Sequence, residues 1–523
     1  MAEHKTARER YQQLTTRRQP FLDRARMASA LTIPTIQPPE GHNGTSPLPQ
    51  PNQGFAAQAV LTLSNRVAST LMPPGQSMMQ LTATPEALIE SGMDDVPDEI
   101  RLRLGRANRL ADAEIERKNW RQATNLTSQL LVVTGNAVEQ ILEDNTIKVY
   151  RLDQFVVSRD PSDQIREMII CESMFPDSLS DDLRSIYEQK DPTSKQQSPL
   201  SKDTVELYTV VSRKNADEFE VYQEFMDTEV PKSRGTYKTK VLPFNHLRWS
   251  RVPAESYGRG KVEEHIADIQ KLDGLSKSLS DGAAMASRNV TMIRPGAAGG
   301  INLMRRHSKA RNGEYIVGNP EDVELQQFQN VNGIQIVNEA VNMLHQQLGQ
   351  AFLLTANNTR DAERVTATEV RMSAQEIDNI LCGVFSTLSV DMSLWRVRRL
   401  LMQMQDQKKL PDWPEESIEP FINTGLEALG RGKTVESIGQ AMQMIASMPE
   451  QALERVDWNT LLTKMLTSLD LPAAVKTEEE VQQERQQQMQ EQAMAQGAGG
   501  AAAGAGEEVG QQVAQQAMQG AAE

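Results

Sequence analysis

The chain has 523 residues, which is enough for roughly three or four domains and a large buried core. It carries 55 basic and 70 acidic side chains, for a net charge of −15. This balance argues against a general nucleic-acid binder, because affinity for phosphate comes mainly from lysine and arginine. The polar N-terminus, the lack of a long apolar run and two distant cysteines, Cys171 and Cys382, predict no signal peptide, membrane span or disulfide framework. We therefore expect assembly in a reducing cytoplasm.

The N-terminal part is predicted to be helical around a proline-rich connector. Residues 5–30 have the pattern of a charged amphipathic helix, and prolines then recur from Pro34 to Pro51. The connector is either an arm that reaches a neighbouring copy or a plain surface loop. A helix follows from Phe55 to Leu71 and ends at Pro73-Pro74-Gly75. Further helices are expected at residues 97–117 and about 120–134.

The hydrophobic period changes to that of strands after Ala137. Apolar residues at positions 138, 141, 147, 149, 155–157 and 168–171 predict short strands. A short helix and an exposed polar loop are expected between residues 176 and 203. Three more strand-like runs follow at Val205–Ser212, Glu218–Met226 and Thr236–Pro243.

Two rods flank a small module in the middle of the chain. The first is predicted over residues 262–287, where apolar residues recur at steps of three and four after Tyr257-Gly258-Arg259-Gly260, whose glycines predict a sharp turn. The second begins after Gly333 and has the same spacing from Ile334 to Leu348. The module between them contains strand-like pieces at Val290–Arg294, Tyr315–Val317 and Val323–Phe328, with a hairpin-turn signal at Asn312-Gly313.

A longer helix is predicted after a loop that begins at Thr355. Thr366 and Glu369 fit a capping box, and the apolar pattern then continues to Leu401 without a proline. Rods of this length have too little chain around them to cover their apolar faces. Copies of the same rod in a closed ring would supply that cover, although an ordinary helical core in a multidomain protein fits the pattern as well.

Several motifs resemble the head-to-tail connector, or portal, family of short-tailed bacteriophages. The resemblance is carried by Arg248-Trp249-Ser250, by Glu255 to Gly260 and by Ala362 to Val370, and it extends to residues 11–26, 34–51 and 64–75. It covers about residues 8 to 470 in the same order. Each motif is weak alone, and their order and spacing together make the resemblance specific.

The resemblance implies a mainly α fold with β-containing wing and clip modules, which is an α+β ring-forming subunit with stem helices and a long spine helix. The implied divisions are the wing at 1–257, stem helices at 258–287 and 333–354, the clip at 288–332, the tunnel loop at 355–365, the spine helix at 366–405, the crown at 406–475 and a disordered tail at 476–523.

The resemblance also implies functional positions and partners. The clip would dock the packaging motor and then the tail through Arg305, Arg306, His307, Lys309 and Arg311. The tunnel loop would place Asn357, Asn358, Thr359, Arg360, Asp361 and Arg364 in a DNA channel. The basic clip run also fits a solvated loop, and Arg364 also fits an ion pair with Glu363 or Glu369. An acidic tunnel would let double-stranded DNA slide, while the same acidity also serves solubility.

The implied assembly is a ring, a dodecamer by family analogy, at the capsid vertex of a virion. Its expected partners are double-stranded DNA, the terminase large subunit, tail adaptor or tube proteins, and capsid and scaffolding proteins, with no membrane, metal or cofactor. A soluble helical enzyme, for example a nucleotide-dependent hydrolase, and a partner-binding scaffold are the alternatives.

Catalytic motifs do not support the enzyme. The segment from Gly425 to Thr434 resembles a phosphate-binding loop, but the position that must be the first glycine is Glu427 and no apolar strand precedes it. The histidines show no metal-ligand spacing, and no Gly-x-Ser-x-Gly elbow is present. We expect His265 and His345, both on the rods, to be interface or surface residues.

Overall fold

The computed structural model describes residues 5–42, 44–73, 77–84, 98–190, 204–286, 290–293, 305, 309, 323–326, 331–354, 383, 387–411 and 418–422. The chain divides into two compact units. One comprises residues 1–80, 109–413 and 420–426, and the other comprises residues 81–108, 414–419 and 427–523. The features below belong to the first unit, except that the helix Asp98–Arg117 and the strands Met79–Ala83 and Ile418–Ile422 have residues in both units.

The helices follow the predicted order closely. The described ones are α1 (Ala7–Leu31), α2 (Phe55–Leu71), α3 (Asp98–Arg117), α4 (Trp120–Thr134), α5 (Asp181–Lys190), α6 (Lys261–Glu264), α7 (Ile266–Ala286), α8 (Val331–Ala351) and α9 (Trp395–Asp406). α1 begins at a capping box, in which the Thr6 hydroxyl accepts from the Glu9 N–H and the Glu9 carboxylate accepts from the Thr6 N–H, both at 3.3 Å.

The strands have two to ten residues, and the pairings among β2 to β12 are antiparallel. They are β1 (Met79–Ala83), β2 (Asn136–Ile141), β3 (Ile147–Tyr150), β4 (Phe155–Arg159), β5 (Ile165–Met174), β6 (Val205–Arg213), β7 (Glu218–Phe225), β8 (Thr228–Glu229), β9 (Gly235–Lys238), β10 (Phe244–Arg248), β11 (Val290–Ile293), β12 (Val323–Gln326) and β13 (Ile418–Ile422). β4 to β8 form one sheet in sequence order, with β9 alongside β7, and β10-β2-β3 form another. The predicted α+β class is therefore confirmed.

Two apolar clusters organise this unit. α2, α4 and the ends of α7 and α8 that lie against them share one core, which includes Leu63, Leu131, Ile269 and Leu348. The sheets share the other core with the middle of α1, where Leu22 and Ala25 are buried among strand residues such as Phe155 and Val211. Alternation of buried and exposed residues explains the strand positions, and spacing of three and four explains the helices.

Four sequence-based expectations need correction. The rod predicted over residues 262–287 is broken at His265, where φ −112° and ψ 14° separate α6 from α7. The run Thr236–Pro243 is not one strand, because β9 ends at Lys238 and a 3₁₀ turn occupies Thr239–Val241. The following strand, β10, was not predicted. The long helix contains a π-helical turn at Ser389–Leu394 before α9.

Several predictions lie outside the described residues. These are the tunnel loop at 355–365, most of the spine helix ahead of residue 387, the crown beyond residue 422 and the tail at 476–523. Within the clip, β11 and β12 are present and paired from Val290↔Gln326 to Ile293↔Val323. The strand predicted at Tyr315–Val317 and the turn at Asn312-Gly313 also lie outside the described part.

Candidate functional site: the helix pair and its anchor

α7 and α8 pack against each other, and we call them the helix pair. The predicted apolar stripe of each helix faces inward. Ile269 and Leu272 on α7 and Val341 and Leu348 on α8 are buried within the core shared with α2. Burial decreases away from that core, since none of the described residues after Leu272 in α7 or before Val341 in α8 is fully buried. The pair therefore has a buried inner half and an outer half where the two helices cover mainly each other.

Large apolar side chains of the helix pair lie in solvent in this outer half and just beyond it. Ile336, Met343 and Met285 are 67%, 62% and 60% exposed. Ile336 and Met343 are seven residues apart, so both lie on the same side of α8, away from the stripe that faces α7. Between the helices Gly282 lies so close to Ile334 that an added Cβ would be 3.6 Å from Ile334 Cγ1. An exposed apolar stripe of this kind marks an interaction surface.

The helix pair starts from a tightly packed glycine junction. An added Cβ at Gly258 would lie 2.6 Å from the carbonyl oxygen of Gly135, and one at Gly260 would lie 2.7 Å from that of Val133. Gly260 has φ −82°, an ordinary value, so a left-handed turn is not the reason for this glycine. Neither Gly258 nor Gly260 has a positive φ, and the close approach of two backbones is what requires glycine at both positions.

Asn136 joins the two backbones at this junction. Its side-chain amide donates to the Gly258 carbonyl at 2.9 Å, and its Oδ1 accepts from the Gly258 N–H at 2.7 Å. Gly135, with φ +75°, ends α4 and places Asn136 at the start of β2. The end of α4, the start of β2 and the start of the helix pair are thereby fixed to one another.

The other end of the helix pair leads into the predicted tunnel loop. α8 ends at Ala351, and Leu353 then adopts φ +61°, a left-handed conformation that is unfavourable for leucine. Burial holds Leu353 in place, since its side chain is 5% exposed, and the Leu354 N–H donates to the Gly349 carbonyl at 2.7 Å. The packing of Leu353 therefore sets the direction in which the chain leaves α8.

The two histidines of the rods face aromatic rings. His345 stacks on Phe55 with ring centroids 4.5 Å apart, and His265 contacts Phe352 at 5.6 Å. Burial lowers the pKa of both histidines, with Lys261 as a further cause for His265. Both lie in the half-buried packing between helices, and the expectation of an interface or surface position stays a prediction.

α9 is held by a buried ion pair that sequence reasoning missed. The Arg396 and Glu139 side chains are both 0% exposed. Arg396 Nε donates to Glu139 Oε2 at 2.8 Å, and a second guanidinium nitrogen donates to Oε1. Hydroxyls from α4 complete the network: Thr124 accepts from Arg396 at 2.7 Å, and Thr127 donates to Glu139 at 2.5 Å. α9, β2 and α4 are joined by this network.

Further polar side chains of α9 bind loop carbonyls along the helix. Trp395 Nε1 donates to the Leu242 carbonyl at 2.7 Å, and Gln403 Nε2 donates to that of Leu142 at 3.1 Å. The spacing of Trp395, Arg399, Gln403 and Gln407 is four residues, which places them along one side of the helix. A glutamate in the apolar run of β2 and an arginine between Trp395 and Val397 were the available sequence signals for Glu139 and Arg396.

Of the sequence-predicted site residues, Arg305 and Lys309 are described. Both are in helical conformation and exposed. Arg306, His307 and Arg311 of the clip lie outside the described residues, as do Asn357, Asn358, Thr359, Arg360, Asp361 and Arg364 of the tunnel loop. The roles given to these residues stay predictions.

The described part of the chain contains neither a metal site nor a membrane-spanning helix. There, no group of three or more histidine, cysteine or acidic side chains is arranged to hold a metal ion. In the same residues no helix combines the length and apolar character needed to cross a bilayer. Among the described cysteines, Cys171 is free and half-buried, and burial raises its pKa to about 12.

Comparison of the sequence with known families defines a phage connector subunit. Residues 4–475 match the family of bacteriophage head to tail connecting proteins, and the chain belongs to this family. The portal protein of Escherichia phage T7 is 29% identical over 92% of this chain and 91% of its own length. That of Enterobacteria phage T3 is 29% identical over 91% of this chain and 89% of its own.

A solved structure is also similar at low identity. The neck of an empty GTA particle aligns with 11% identity over 79% of this chain and 89% of that chain, at a TM-score of 0.41. A similarity at that score carries no conclusion about this chain. The family match and the phage relatives confirm the connector, or portal, prediction made from the sequence motifs, and they do not favour the enzyme or scaffold alternatives.

Proposed function

We propose that copies of this connector close into a ring, a dodecamer, at a capsid vertex of the virion after assembly in the host cytoplasm. Double-stranded DNA passes through the ring during packaging and again during ejection. The subunit has no catalytic role in this proposal, so a separate ATPase supplies the work. The family match supports the connector role, and the portal relatives support the ring.

The exposed side of α8 carries this proposal. A helix with Ile336 and Met343 more than 60% exposed on the side away from its partner is unfavourable in an isolated subunit. An identical neighbour on each side would bury that stripe against the next helix pair, and repetition by rotation closes a ring. Each subunit then buries, against its neighbour, the apolar side chains that its own chain leaves exposed.

The low charge of α8 suits a channel through which DNA slides. α8 contains one acidic residue, the exposed Glu339, and no lysine or arginine. Its other exposed polar positions are uncharged amides, at Gln335, Asn338, Asn342, Gln346, Gln347 and Gln350. Amides without charge release no counterions from DNA, so a surface of this type holds the duplex weakly.

The docking and channel residues complete the proposal. The clip, with exposed Arg305 and Lys309, would bind the terminase large subunit during packaging and tail adaptor or tube proteins later. The tunnel loop, with Arg360 and Arg364, would narrow the channel where the chain leaves Leu353. Capsid and scaffolding proteins would contact the wing. We propose the same boundaries that the family resemblance implies for the wing, stem, clip, tunnel loop, spine and crown.

Native mass measurement of the purified protein tests the ring. We expect a closed oligomer for the unaltered chain and its loss in the Ile336→Ser/Met343→Ser variant, with the folded subunit unchanged, because both side chains lie in solvent in the single subunit. Phe175→Ser is the matched control, since Phe175 is 57% exposed outside the helix pair and should leave the ring intact. A monomer from the unaltered chain would contradict the proposal.

A further inference from the structure

The charge of α1 is opposite in sign to that of the chain as a whole. α1 contains six arginines against two acidic residues, Glu9 and Asp23, and Lys5 lies just before it, whereas the whole chain has a net charge of −15. One side of the helix packs on the sheets through residues such as Leu14 and Leu22, and the other side faces solvent. A local excess of basic side chains on one exposed element marks a surface that attracts anions.

Four of the six arginines are used within the fold. Three of them form ion pairs with residues of other elements: Arg10 with Glu167, Arg24 with Glu263 and Arg26 with Glu40. Arg18 is 5% exposed and donates to the carbonyls of Asp153 and Phe155 at 2.9 and 2.8 Å. These side chains fix α1 to the rest of the subunit and are not available to a ligand.

The remaining basic residues lie on the solvent side of the N-terminal half of α1. They are Lys5, Arg8 and Arg17, all exposed, and within the described part of the chain their side chains form no ion pair or hydrogen bond. Residues 5, 8, 12 and 16 follow one another at steps of three and four, so they form one row along the helix, and residues 13 and 17 form a second row beside it. We call this exposed surface the α1 face, and it consists of Lys5, Arg8, Gln12, Gln13, Thr16 and Arg17.

The acidic residues of α1 reduce the positive charge of the α1 face without cancelling it. Glu9 is exposed within it and accepts from the Thr6 N–H at 3.3 Å in the capping box. Asp23 lies six residues beyond Arg17 and accepts from Gln19 Nε2 at 2.9 Å. Over residues 5–17 three exposed cations therefore stand against one exposed carboxylate, which is already hydrogen-bonded.

The chemistry of the α1 face selects a nucleic acid as its ligand. No apolar side chain is exposed between residues 5 and 17, whereas protein partners bind mainly through aromatic and aliphatic anchors. Lysine, arginine, glutamine and threonine are side chains that donate to phosphate oxygens, and interfaces with nucleic acids are polar and positively charged. The α1 face is about 18 Å long, and a duplex carries one charge per about 1.7 Å, so roughly ten phosphate charges lie along this length.

We propose that the α1 face binds the phosphate backbone of duplex DNA that lies beside the ring, outside its channel. Binding by phosphate contacts is independent of base sequence and weakens as salt is added. The connector would thus contact DNA in two ways: weakly through the amides of α8 in the channel, and by ionic contacts on α1. The choice of DNA as the nucleic acid rests on the proposed function.

Circular DNA separates the α1 face from the channel. A covalently closed duplex circle cannot thread a closed ring, so its binding to the preassembled ring of the full chain reports on outer surfaces. We expect binding at about 50 mM salt that decreases as salt is added. The Lys5→Gln/Arg8→Gln/Arg17→Gln variant should bind roughly tenfold or more weakly, and its plot of log K against log salt concentration should be shallower by about 2 to 3. Its melting temperature should be unchanged, because the three side chains lie in solvent.

A second triple variant controls for net charge. Lys214→Gln/Lys232→Gln/Lys240→Gln removes the same charge from exposed lysines elsewhere and should keep the affinity and the salt dependence of the unaltered ring. Equal losses in the two variants, or no binding of circular DNA by the unaltered ring, would overturn this inference and leave the ring standing. Binding of polyglutamate without binding of circular DNA would also overturn it, in favour of an acidic protein partner. If the unaltered chain forms no ring, the proposed function fails, while the same comparison of variants on the single chain still tests the α1 face.

Discussion

The surroundings of α9 and the outer half of the helix pair differ in how their surfaces are completed. α9 is enclosed by its own subunit: Val397 and Leu400 are fully buried, and the Arg396 guanidinium has a carboxylate and a hydroxyl as partners. The outer half of the helix pair has Ile336 in solvent and no fully buried described residue, and Met343 is exposed just beyond it. One region is complete within a single chain, and the other is left to be completed by assembly. Changes around α9 should therefore act on folding, and changes in the outer helix pair on association.

The largest effect is expected from the buried ion pair. Arg396→Met leaves the Glu139 carboxylate buried without its cationic partner, and we expect a loss of about 3–5 kcal/mol in the free energy of unfolding. Chemical denaturation of the dissociated subunit measures it. The double variant Glu139→Leu/Arg396→Met removes both charges and should recover a large part of the loss. A similar loss in the free energy of unfolding for Ile336→Ser would contradict the proposed difference between the two regions.

A smaller loss is expected at the glycine junction. In Gly258→Ala the new methyl group would meet the Gly135 carbonyl oxygen at 2.6 Å, a backbone atom that cannot rotate away. We expect a loss of about 1–3 kcal/mol in the free energy of unfolding, and a ring of altered geometry because the start of the helix pair must shift. Thermal melting and electron microscopy measure the two effects. Gly274→Ala is the control, since nothing lies within 4 Å of an added Cβ there.

The body of the subunit should also be sensitive to acid. His246 is 5% exposed, and its Nδ1 accepts from Arg159 at 3.0 Å. Its pKa is lowered well below the ordinary value, first by burial and then by Arg159, Arg248 and Arg251, so the folded state keeps it neutral. The unfolded chain binds a proton as the pH falls below about 6.5, so the free energy of unfolding decreases there by up to about 1.4 kcal/mol per pH unit.

Melting temperatures measured from pH 7.5 to 5 test this prediction. His246→Gln should flatten the decrease below pH 6.5 at some cost in stability at neutral pH, whereas His42→Gln, at a half-buried residue beside Ser46, should retain it. An unchanged slope in His246→Gln would assign the acid sensitivity to other groups. Because Asn136 binds both His246 and Gly258, the acid effect should reach the start of the helix pair.

The sequence predicted the parts of the fold that rest on local pattern. α2 was expected at its observed bounds, and the inward stripes of α7 and α8 follow the predicted spacing. β10 was missed because Phe244–Arg248 contains Asn245 and His246, which become strand residues only through pairing with β2 more than a hundred residues earlier. A contact of this kind leaves no local signal. Arg396 was missed for the same reason, since its partner Glu139 lies 257 residues away.

The candidate site was predictable to a different extent. The apolar stripes revealed which sides of the rods pack together, and the family resemblance supplied the connector role. The exposed stripe of Ile336 and Met343 was not foreseen, because Ile336 reads as one more apolar residue of a helix until the inward side is known.

The π-helical turn at Ser389–Leu394 changes the angular phase of the helix that contains it. Such a turn holds one residue more than a regular turn, which displaces everything beyond it by roughly 100° around the axis. Leu388 and Met392 are buried in the core with α2 and α7, whereas Trp395 reaches the carbonyl of Leu242 next to the sheet. The helix therefore packs against one surface before the π-helical turn and against another after it. Removal of a single residue here would rotate these two contact surfaces relative to each other without breaking the helix.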